Sequence, residues 1–183
     1  NYTLPQDIEI GDKILINGPI GDHEIAIISA RGELGLDVKI ESDCAPLADL
    51  ISHVLTASGK IKFMRDPTRG GLATTLNEMV EGRDFSILIE ESTIPVREEV
   101  RGACSLLGFD PLYLANEGKV VIIVGSDDAS LVVDAMRAHP LGRDAQIIGE
   151  VVESPKGKVC LRTEIGGTRI VDMPVGTQFP RIC

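Results

Sequence analysis

Residues 61–80, IKFMRDPTRGGLATTLNEMV, contain the order of elements that decides the fold. The run 61–64 is apolar enough to predict a strand, and 66–71 (DPTRGG) has the proline and glycines of a turn. Within 71–80 the apolar side chains recur at a spacing of three and four, which predicts an amphipathic helix. The order is strand, glycine-rich turn, helix.

Further strands and helices continue this order along the chain. Apolar runs and helical spacing predict strands at 13–17 (KILIN), 86–90 (SILIE), 119–124 (KVVIIV), 145–152, 158–162 and 168–171, and helices at 22–30, 45–57, 96–107 and 129–138. The last strands are expected to form a two- or three-strand meander. This mixture predicts an α+β fold, a layered mixed sheet with helices, rather than a strictly alternating parallel sheet.

The composition is typical of a globular chain. With 183 residues, 43% of them apolar, the chain is long enough for one substantial core. Its net charge of −10 opposes binding to nucleic acid or anionic lipid, so a phosphate ligand would need positive charge from an arginine, a helix N-terminus or Mg²⁺. No apolar run approaches the roughly 20 residues that span a bilayer, and no leader precedes the pattern, so we expect a soluble, cytoplasmic protein.

The cysteines and histidines lack metal-site spacing. The cysteines at positions 44, 104, 160 and 183 form no CxxC pair, and the three histidines are scattered. A chain with a good core has little need of disulfides. We therefore expect free thiols and no metal site.

The turn DPTRGG is the first candidate for chemistry. Gly70 and Gly71 would let an anion approach backbone N–H groups at a helix start, and Arg69 could pair with phosphate oxygens. Asp66 and Thr68 complete this candidate phosphate site. The alternative is an ordinary helix start in which Asp66 or Thr68 caps free amides.

Asn116-Glu117-Gly118 is the second candidate, because it precedes the apolar run 119–124. A carboxylate at a strand entrance can reach into a cleft as a general base, and Glu117 is the natural choice. The alternative is a turn with a surface glutamate.

The third candidate is the end of the chain, where Cys183 follows Phe-Pro-Arg-Ile. A terminal thiol is accessible to modification, so a tethered, swinging carrier is one interpretation and a frayed tail with an incidental cysteine is the other. Two weaker stretches are 18–23 (GPIGDH), which could line a site or simply turn, and 42–46 (SDCAP). The second predicts a capped helix start with Cys44 as a packing thiol.

Several stretches together resemble a known family. They are GPIGDHEIAIISARGELG, SDCAPL, MRDPTRGGLATTLNEM, IPV, LGFDPLYLANEGKV, IIGEV and the terminal PRIC, and they cover nearly the whole chain in order and spacing. The chain resembles the later half of the HypE family, in the group of aminoimidazole ribonucleotide synthetase and selenophosphate synthetase. The resemblance implies a synthetase-like C-terminal domain at 1–172 and a flexible tail at 173–183. It also implies an absent N-terminal domain with most of the nucleotide site and the homodimer interface.

The resemblance further implies a reaction. Members of the HypE family receive a carbamoyl group on the terminal cysteine from the carbamoyltransferase HypF and dehydrate it with ATP to a thiocyanate. The cyanide then passes to iron in the HypC and HypD scaffold of nickel-iron hydrogenase maturation. Here Cys183 would be the carrier, Glu117 the base and Asn116 its orienting neighbour. The DPTRGG residues would face the phosphates of ATP or Mg²⁺, bound mostly by the absent domain.

Two rival interpretations remain open from the sequence. Another ATP-dependent synthetase of the same superfamily, such as one making selenophosphate, would not need Cys183. A noncatalytic module would use its tail only for docking to a maturation partner. The discriminating observation is whether the full-length protein with ATP removes one water from a carbamoylated thiol.

Overall fold

The computed structural model describes residues 7–32 and 39–174. Within them lie seven strands: β1 (Lys13–Ile16), β2 (Ile61–Arg65), β3 (Ser86–Glu90), β4 (Val121–Val124), β5 (Gln146–Val152), β6 (Val159–Arg162) and β7 (Thr168–Ile170). The same residues form five α-helices: α1 (Asp22–Arg31), α2 (Ala48–Ala57), α3 (Gly71–Val80), α4 (Glu98–Leu107) and α5 (Ala129–Arg137). None of these helices has the length and apolar character needed to cross a membrane.

The seven strands form one sheet in the order β2-β4-β1-β5-β3-β6-β7. Neighbouring strands are antiparallel except β3 and β6, which are parallel. All residues of β4 are buried. Because a strand covered on both faces has no solvent side, its sequence is continuously apolar rather than alternating.

Helices pack on both faces of the sheet. Successive side chains of a strand point to opposite faces, so β1 sends Ile14 into the core under α3 and Leu15 into the core under α2 and α5. The helix α3 contributes Leu72 and Leu76 to its core. A third cluster joins α1 and α4 around Leu114, which belongs to the loop that leads to β4.

The expected α+β fold with a mixed sheet is confirmed, and α3 and β3 occupy the ranges 71–80 and 86–90 expected for them. Of the expected two- or three-strand meander, the two-strand form is present, because β6 and β7 pair as an antiparallel hairpin, whereas β3 separates β5 from them. The helix expected from residue 45 begins at Ala48. Pro46 accounts for the delay, since the residue before a proline is disfavoured in helical conformation.

Candidate functional site

The turn DPTRGG joins β2 to the N-terminus of α3. Gly70 is the N-cap residue, with φ 74°, and Gly71 has φ 61°, both in the left-handed region that favours glycine. A Cβ on Gly71 would lie 2.5 Å from the carbonyl oxygen of Leu114 and 2.6 Å from that of Leu112. Gly71 is therefore required for the close approach of α3 to residues 112–114, whether or not a ligand binds.

The same turn leaves a polar group without a partner. The hydroxyl of Thr74 is buried and has no hydrogen-bond partner among the described residues. It faces Gly70, where an added Cβ would come within 2.1 Å of it. Asp66 and Arg69 are exposed at this turn, and Thr68 is half-buried. The turn thus combines a helix N-terminus with an unsatisfied hydroxyl, and both suit an anionic ligand.

Asn116 connects the two predicted sites directly. Its Oδ1 accepts a hydrogen bond from the N–H of Gly21 at 2.8 Å, and its Nδ2 donates to the carbonyls of Pro67 at 2.9 Å and Leu114 at 3.0 Å. The side chain is 1% exposed. Asn116 therefore fastens the turn before α3, the start of α1 and its own loop to one another, and its amide is occupied by the main chain.

Glu117 lies on a loop, 115–120, whose backbone is hydrogen-bonded at successive positions by side chains from other parts of the chain. Glu24 accepts the N–H of Ala115 at 2.5 Å, and Asp43 accepts the N–H of Glu117 at 3.1 Å. Asn17 donates to the carbonyl of Gly118 at 3.1 Å and accepts the N–H of Val120 at 2.8 Å.

A buried ion pair completes the fastening of this loop, which we call the braced loop. Lys119 donates to Asp43 at 2.8 Å, and the two side chains are 9% and 4% exposed. A Cβ on Gly118 would lie 1.8 Å from the carbonyl oxygen of Asp43, so only glycine fits between Glu117 and the ion pair. Glu117 itself is exposed. The arrangement presents one solvent-accessible carboxylate on a rigid support.

Three of the residues that fasten the braced loop were missed by the sequence analysis. Asn17 and Glu24 lie about a hundred residues away along the chain and carry no local pattern that marks them. Asp43 was interpreted as part of a helix start, which is wrong, because its carboxylate binds Glu117 and Lys119 and the N-cap of α2 is Leu47.

Cys44 also differs from its expected packing role. It is exposed, whereas Cys104 and Cys160 are buried, and all three are free thiols. Burial raises the pKa of the Cys104 thiol to about 11, so this thiol stays protonated at neutral pH. The only thiol among the described residues that solvent reaches freely is therefore Cys44.

A cleft of about 630 Å³ lies beside the braced loop. Gly18, Pro19 and Asp22 from the GPIGDH stretch line it, so this stretch does contribute to a concave surface. Asp22 pairs with Arg97 at 2.9 Å. Burial raises the pKa of the Asp22 carboxyl, and the guanidinium of Arg97 opposes that rise.

The structure brings Asn116, Glu117 and the DPTRGG turn together, while Cys183 lies outside the described residues. Within residues 7–32 and 39–174, no three His, Cys, Asp or Glu side chains cluster as a metal site. The described parts of the candidate site are thus the braced loop, the exposed carboxylate of Glu117 and the glycine-rich start of α3.

Known proteins share this arrangement of elements. The chain is 50% identical over 173 residues to carbamoyl dehydratase HypE of Cupriavidus necator, an alignment that covers 94% of the chain and 49% of that relative. A crystal structure of hydrogenase maturation protein HypE in complex with ATP matches with a TM-score of 0.91 and 40% identity, over 98% of this chain and 55% of that one. A crystal structure of a HypE–HypF complex matches with a TM-score of 0.87 and 46% identity, over 93% and 55%.

The chain spans about half the length of the curated relatives that it matches. Residues 9–162 match the family described as AIR synthase related protein, C-terminal domain. The matched range contains the sheet through β6, the braced loop and the DPTRGG turn. The chain therefore belongs to the AIR synthase related proteins, in the family of their C-terminal domain.

Proposed function

We propose that this chain is part of an ATP-dependent carbamoyl dehydratase that converts an S-carbamoyl group on Cys183 to a thiocyanate. The similarity to proteins named carbamoyl dehydratase HypE supports this function, as does the similarity to a HypE crystallised with ATP. The product would supply the cyanide ligand of the nickel-iron hydrogenase centre. The reaction removes one molecule of water from the carbamoyl group.

The braced loop is the observation that carries the proposal. A general base must be held within hydrogen-bond reach of the proton that it removes, and side chains fixed by surrounding hydrogen bonds achieve this best. The hydrogen bond from the backbone N–H of Glu117 to Asp43 holds the chain at this position, and the exposed carboxylate is accessible to a substrate. A surface glutamate in an ordinary turn would not need Glu24, Asn17 and the buried ion pair around it.

The chemistry assigns a role to each part of the site. The carbamoyl nitrogen must lose two protons as the C–O bond breaks and the nitrile forms. Glu117 would accept a proton from this nitrogen. Asn116 would act by holding the loop, since its own amide is engaged with Gly21, Pro67 and Leu114. ATP, when bound, supplies the phosphoryl group with which the carbamoyl oxygen leaves.

The turn before α3 fits the nucleotide. The unsatisfied hydroxyl of Thr74 and the glycine N-cap give an anion a donor and a helix N-terminus at the same place. Arg69 and Thr68 would add donors to the phosphates at this turn, with Gly70 and Gly71 giving access. The exposed carboxylate of Asp66 would bind Mg²⁺ together with the phosphates. The N-terminal half of the protein would provide the remaining ligands.

The partners follow from the same reaction. A carbamoyltransferase must load Cys183, and a HypE similar to this chain has been crystallised with HypF. We therefore propose HypF as the loading partner and the HypC and HypD scaffold as the acceptor of cyanide. The full-length protein would work in the cytoplasm as a homodimer.

Isotope transfer tests the proposed reaction. The full-length protein would be carbamoylated with a heavy oxygen isotope in the carbamoyl group and then given ATP. We expect the heavy oxygen in the released inorganic phosphate and a nitrile on Cys183. Heavy oxygen that stays on the protein, or ATP hydrolysis without loss of water from the tail, would contradict a dehydratase. The second outcome would favour a docking role.

A further inference from the structure

Asp22 has one carboxylate oxygen that the described protein does not satisfy. Its Oδ2 accepts a hydrogen bond from Nε of Arg97 at 2.9 Å. Its Oδ1 is buried and has no hydrogen-bond partner among the described residues, and the side chain is only 5% exposed. A buried carboxylate oxygen without a donor is costly to the folded state. Because Asp22 lines the cleft beside the braced loop, this oxygen marks a place there for a ligand that donates hydrogen bonds.

Arg143 brings the opposite charge to the same cleft. It lines the cleft and is exposed, and within residues 7–32 and 39–174 its guanidinium has no ion-pair or hydrogen-bond partner. Two other cations of the cleft, Arg97 and Lys119, are by contrast engaged with Asp22 and Asp43. A ligand in this cleft can therefore place a cationic donor at Asp22 and an anionic group at Arg143.

Cys44 adds a thiol to these two charged groups. It is exposed and lines the cleft, whereas Cys104 and Cys160 are buried. The thiolate form of an accessible cysteine attacks disulfides, and the reaction leaves a mixed disulfide that a reducing agent reverses. A cysteine alone does not choose its partner, so any selection must come from the charged groups around it.

The braced loop joins the walls of the cleft. A Cβ on Gly118 would lie 1.8 Å from the carbonyl oxygen of Asp43, so the segment before α2 packs directly on this loop. On the other side, Asn17 donates to the carbonyls of Gly118 at 3.1 Å and Leu141 at 2.8 Å, which joins the turn before Arg143 to the same loop. The thiol and the two charged groups therefore belong to one cleft with a fixed frame.

We propose that Cys44 is a site of reversible thiolation by a small thiol that carries both an ammonium and a carboxylate group, as cysteine and glutathione do. The ammonium group donates to Oδ1 of Asp22, and the carboxylate pairs with the guanidinium of Arg143. The cleft volume of about 630 Å³ is typical of pockets that enclose small molecules. This inference goes beyond the proposed dehydratase and does not depend on it.

The modification is a thiol–disulfide exchange. The thiolate of Cys44 attacks one sulfur of the disulfide form of the small thiol, the bond between its two sulfurs breaks, and a new S–S bond forms to Cys44. The other half of the disulfide leaves as a thiolate and takes up the proton that Cys44 released. The small disulfide is thus the oxidant, and an added dithiol reverses the reaction.

The rate of exchange at Cys44 in the full-length protein tests the selection. The probes are glutathione disulfide with both charges, cystamine with ammonium groups only, dithiodipropionate with carboxylates only, and the neutral hydroxyethyl disulfide. Mass analysis of nonreduced peptides assigns each mixed disulfide to Cys44 and follows its formation over time. Each rate is divided by the rate with the neutral probe, and this relative rate is compared between variants. The comparison removes differences in the accessibility of the thiol and in the intrinsic reactivity of the probes.

The two charged groups are removed one at a time. We expect Asp22→Asn to lower the relative rates of cystamine and glutathione disulfide several-fold without lowering that of dithiodipropionate. We expect Arg143→Gln to lower the relative rates of dithiodipropionate and glutathione disulfide without lowering that of cystamine. Arg101→Gln is the matched control, because Arg101 is exposed and does not line the cleft, and it should leave all relative rates unchanged.

Three results would overturn the thiolation proposal: no mixed disulfide on Cys44, relative rates that neither cleft variant changes, or losses that Arg101→Gln reproduces. Equal losses with cystamine and dithiodipropionate in each cleft variant would also contradict it, because the two charges would then not be read by separate groups. The proposed dehydratase is tested by loss of water from the tail. Failure of either proposal is therefore seen without reference to the other.

Discussion

The backbone N–H of Glu117 donates to Oδ1 of Asp43 at 3.1 Å, across 74 residues of sequence, and the other oxygen of Asp43 accepts Lys119 at 2.8 Å. One carboxylate therefore holds the chain at Glu117 and again two residues later. Because Gly118 has no side chain, the backbone can pass close to Asp43 between these two contacts. The position of the proposed base depends on an ion pair that the loop itself completes.

Removing the charge of Asp43 should destabilise the fold strongly. In Asp43→Asn the amide oxygen can still accept the N–H of Glu117, but Lys119 becomes a buried cation without its counter-charge. Breaking one side of a buried pair costs about 3–5 kcal/mol. Urea unfolding of this variant and of Asp127→Asn provides the comparison, because Asp127 forms an exposed pair with Lys60. We expect the exposed pair to contribute less than about 1 kcal/mol. Equal losses in the two variants would show that the buried pair does not hold the loop.

Gly71→Ala should destabilise the protein more than Gly108→Ala. Both glycines have positive φ, 61° and 71°, so both substitutions carry the conformational cost. Only at Gly71 would the new Cβ also meet backbone, 2.5 Å from the carbonyl oxygen of Leu114, whereas nothing lies within 4 Å of the position at Gly108.

The difference in the free energy of unfolding between these two glycine variants measures the contribution of the close contact between α3 and residues 112–114. We expect Gly108→Ala to lose about 1 kcal/mol and Gly71→Ala to lose clearly more in the free energy of unfolding. Thermal or urea unfolding measures both. A Gly71 variant as stable as the Gly108 variant would mean that this contact is not tight.

Glu24→Gln should change how stability depends on pH. Burial raises the pKa of the Glu24 carboxyl, and the N–H of Ala115 opposes the rise. Above the ordinary glutamate pKa of about 4.3, the unfolded chain has lost a proton that the folded chain still holds. The folded state is therefore progressively disfavoured as pH rises from there through the raised pKa. Glutamine can still accept from Ala115 but has no proton to lose.

We therefore expect Glu24→Gln to gain stability relative to the unmodified protein as pH rises from 4 to 7, in urea unfolding at each pH. Below the ordinary pKa the glutamate is uncharged in both the folded and the unfolded protein. The difference in stability between Glu24→Gln and the unmodified protein should therefore be smallest there. A stability difference that stays constant over this range would show that Glu24 does not titrate with a raised pKa.

Asn116→Ala and Asn77→Ala form a matched pair for the role of the braced loop. Each asparagine bridges main-chain groups, Asn116 at the loop and Asn77 between the carbonyls of Ala73 and Val171. Loss of either should reduce stability by roughly 1–3 kcal/mol, because buried main-chain groups lose their partners. Only Asn116→Ala should also slow dehydration of the carbamoylated tail in the full-length protein. Equal slowing by Asn77→Ala would attribute the effect to general loosening.

The sequence predicted the elements better than their neighbours in the sheet. The apolar spacing of α3 and the run in β4 are local signals; α3 was found over its expected range, and β4 lies within 119–124 but begins at Val121. The placement of β3 between β5 and β6 is a matter of tertiary structure that no local sequence pattern indicates. For this reason only the two-strand form of the expected meander, β6 with β7, was found.

The candidate site likewise contains some residues that short motifs mark and others that only long-range contacts bring together. DPTRGG and Glu117 stand out as short motifs, and the family resemblance favoured their functional interpretations over ordinary turns. The residues that fix Glu117 in place, Asp43 and Asn17 among them, act across 74 and 103 residues of sequence. A single sequence carries no signal for contacts at that range. Asp43 in particular followed a serine in a stretch that looked like a helix cap.

The fate of the carbamoylated tail in Glu117→Gln tests the central claim most directly. The full-length variant would be loaded on Cys183, given ATP and sampled over time by mass analysis of the C-terminal peptide, with Glu81→Gln as the control at the far end of α3. We expect normal loading in both, conversion to the nitrile in the control, and a tail that remains carbamoylated in Glu117→Gln. Loss of one water from the tail of Glu117→Gln at the unmodified rate would contradict the assignment of Glu117 as the base.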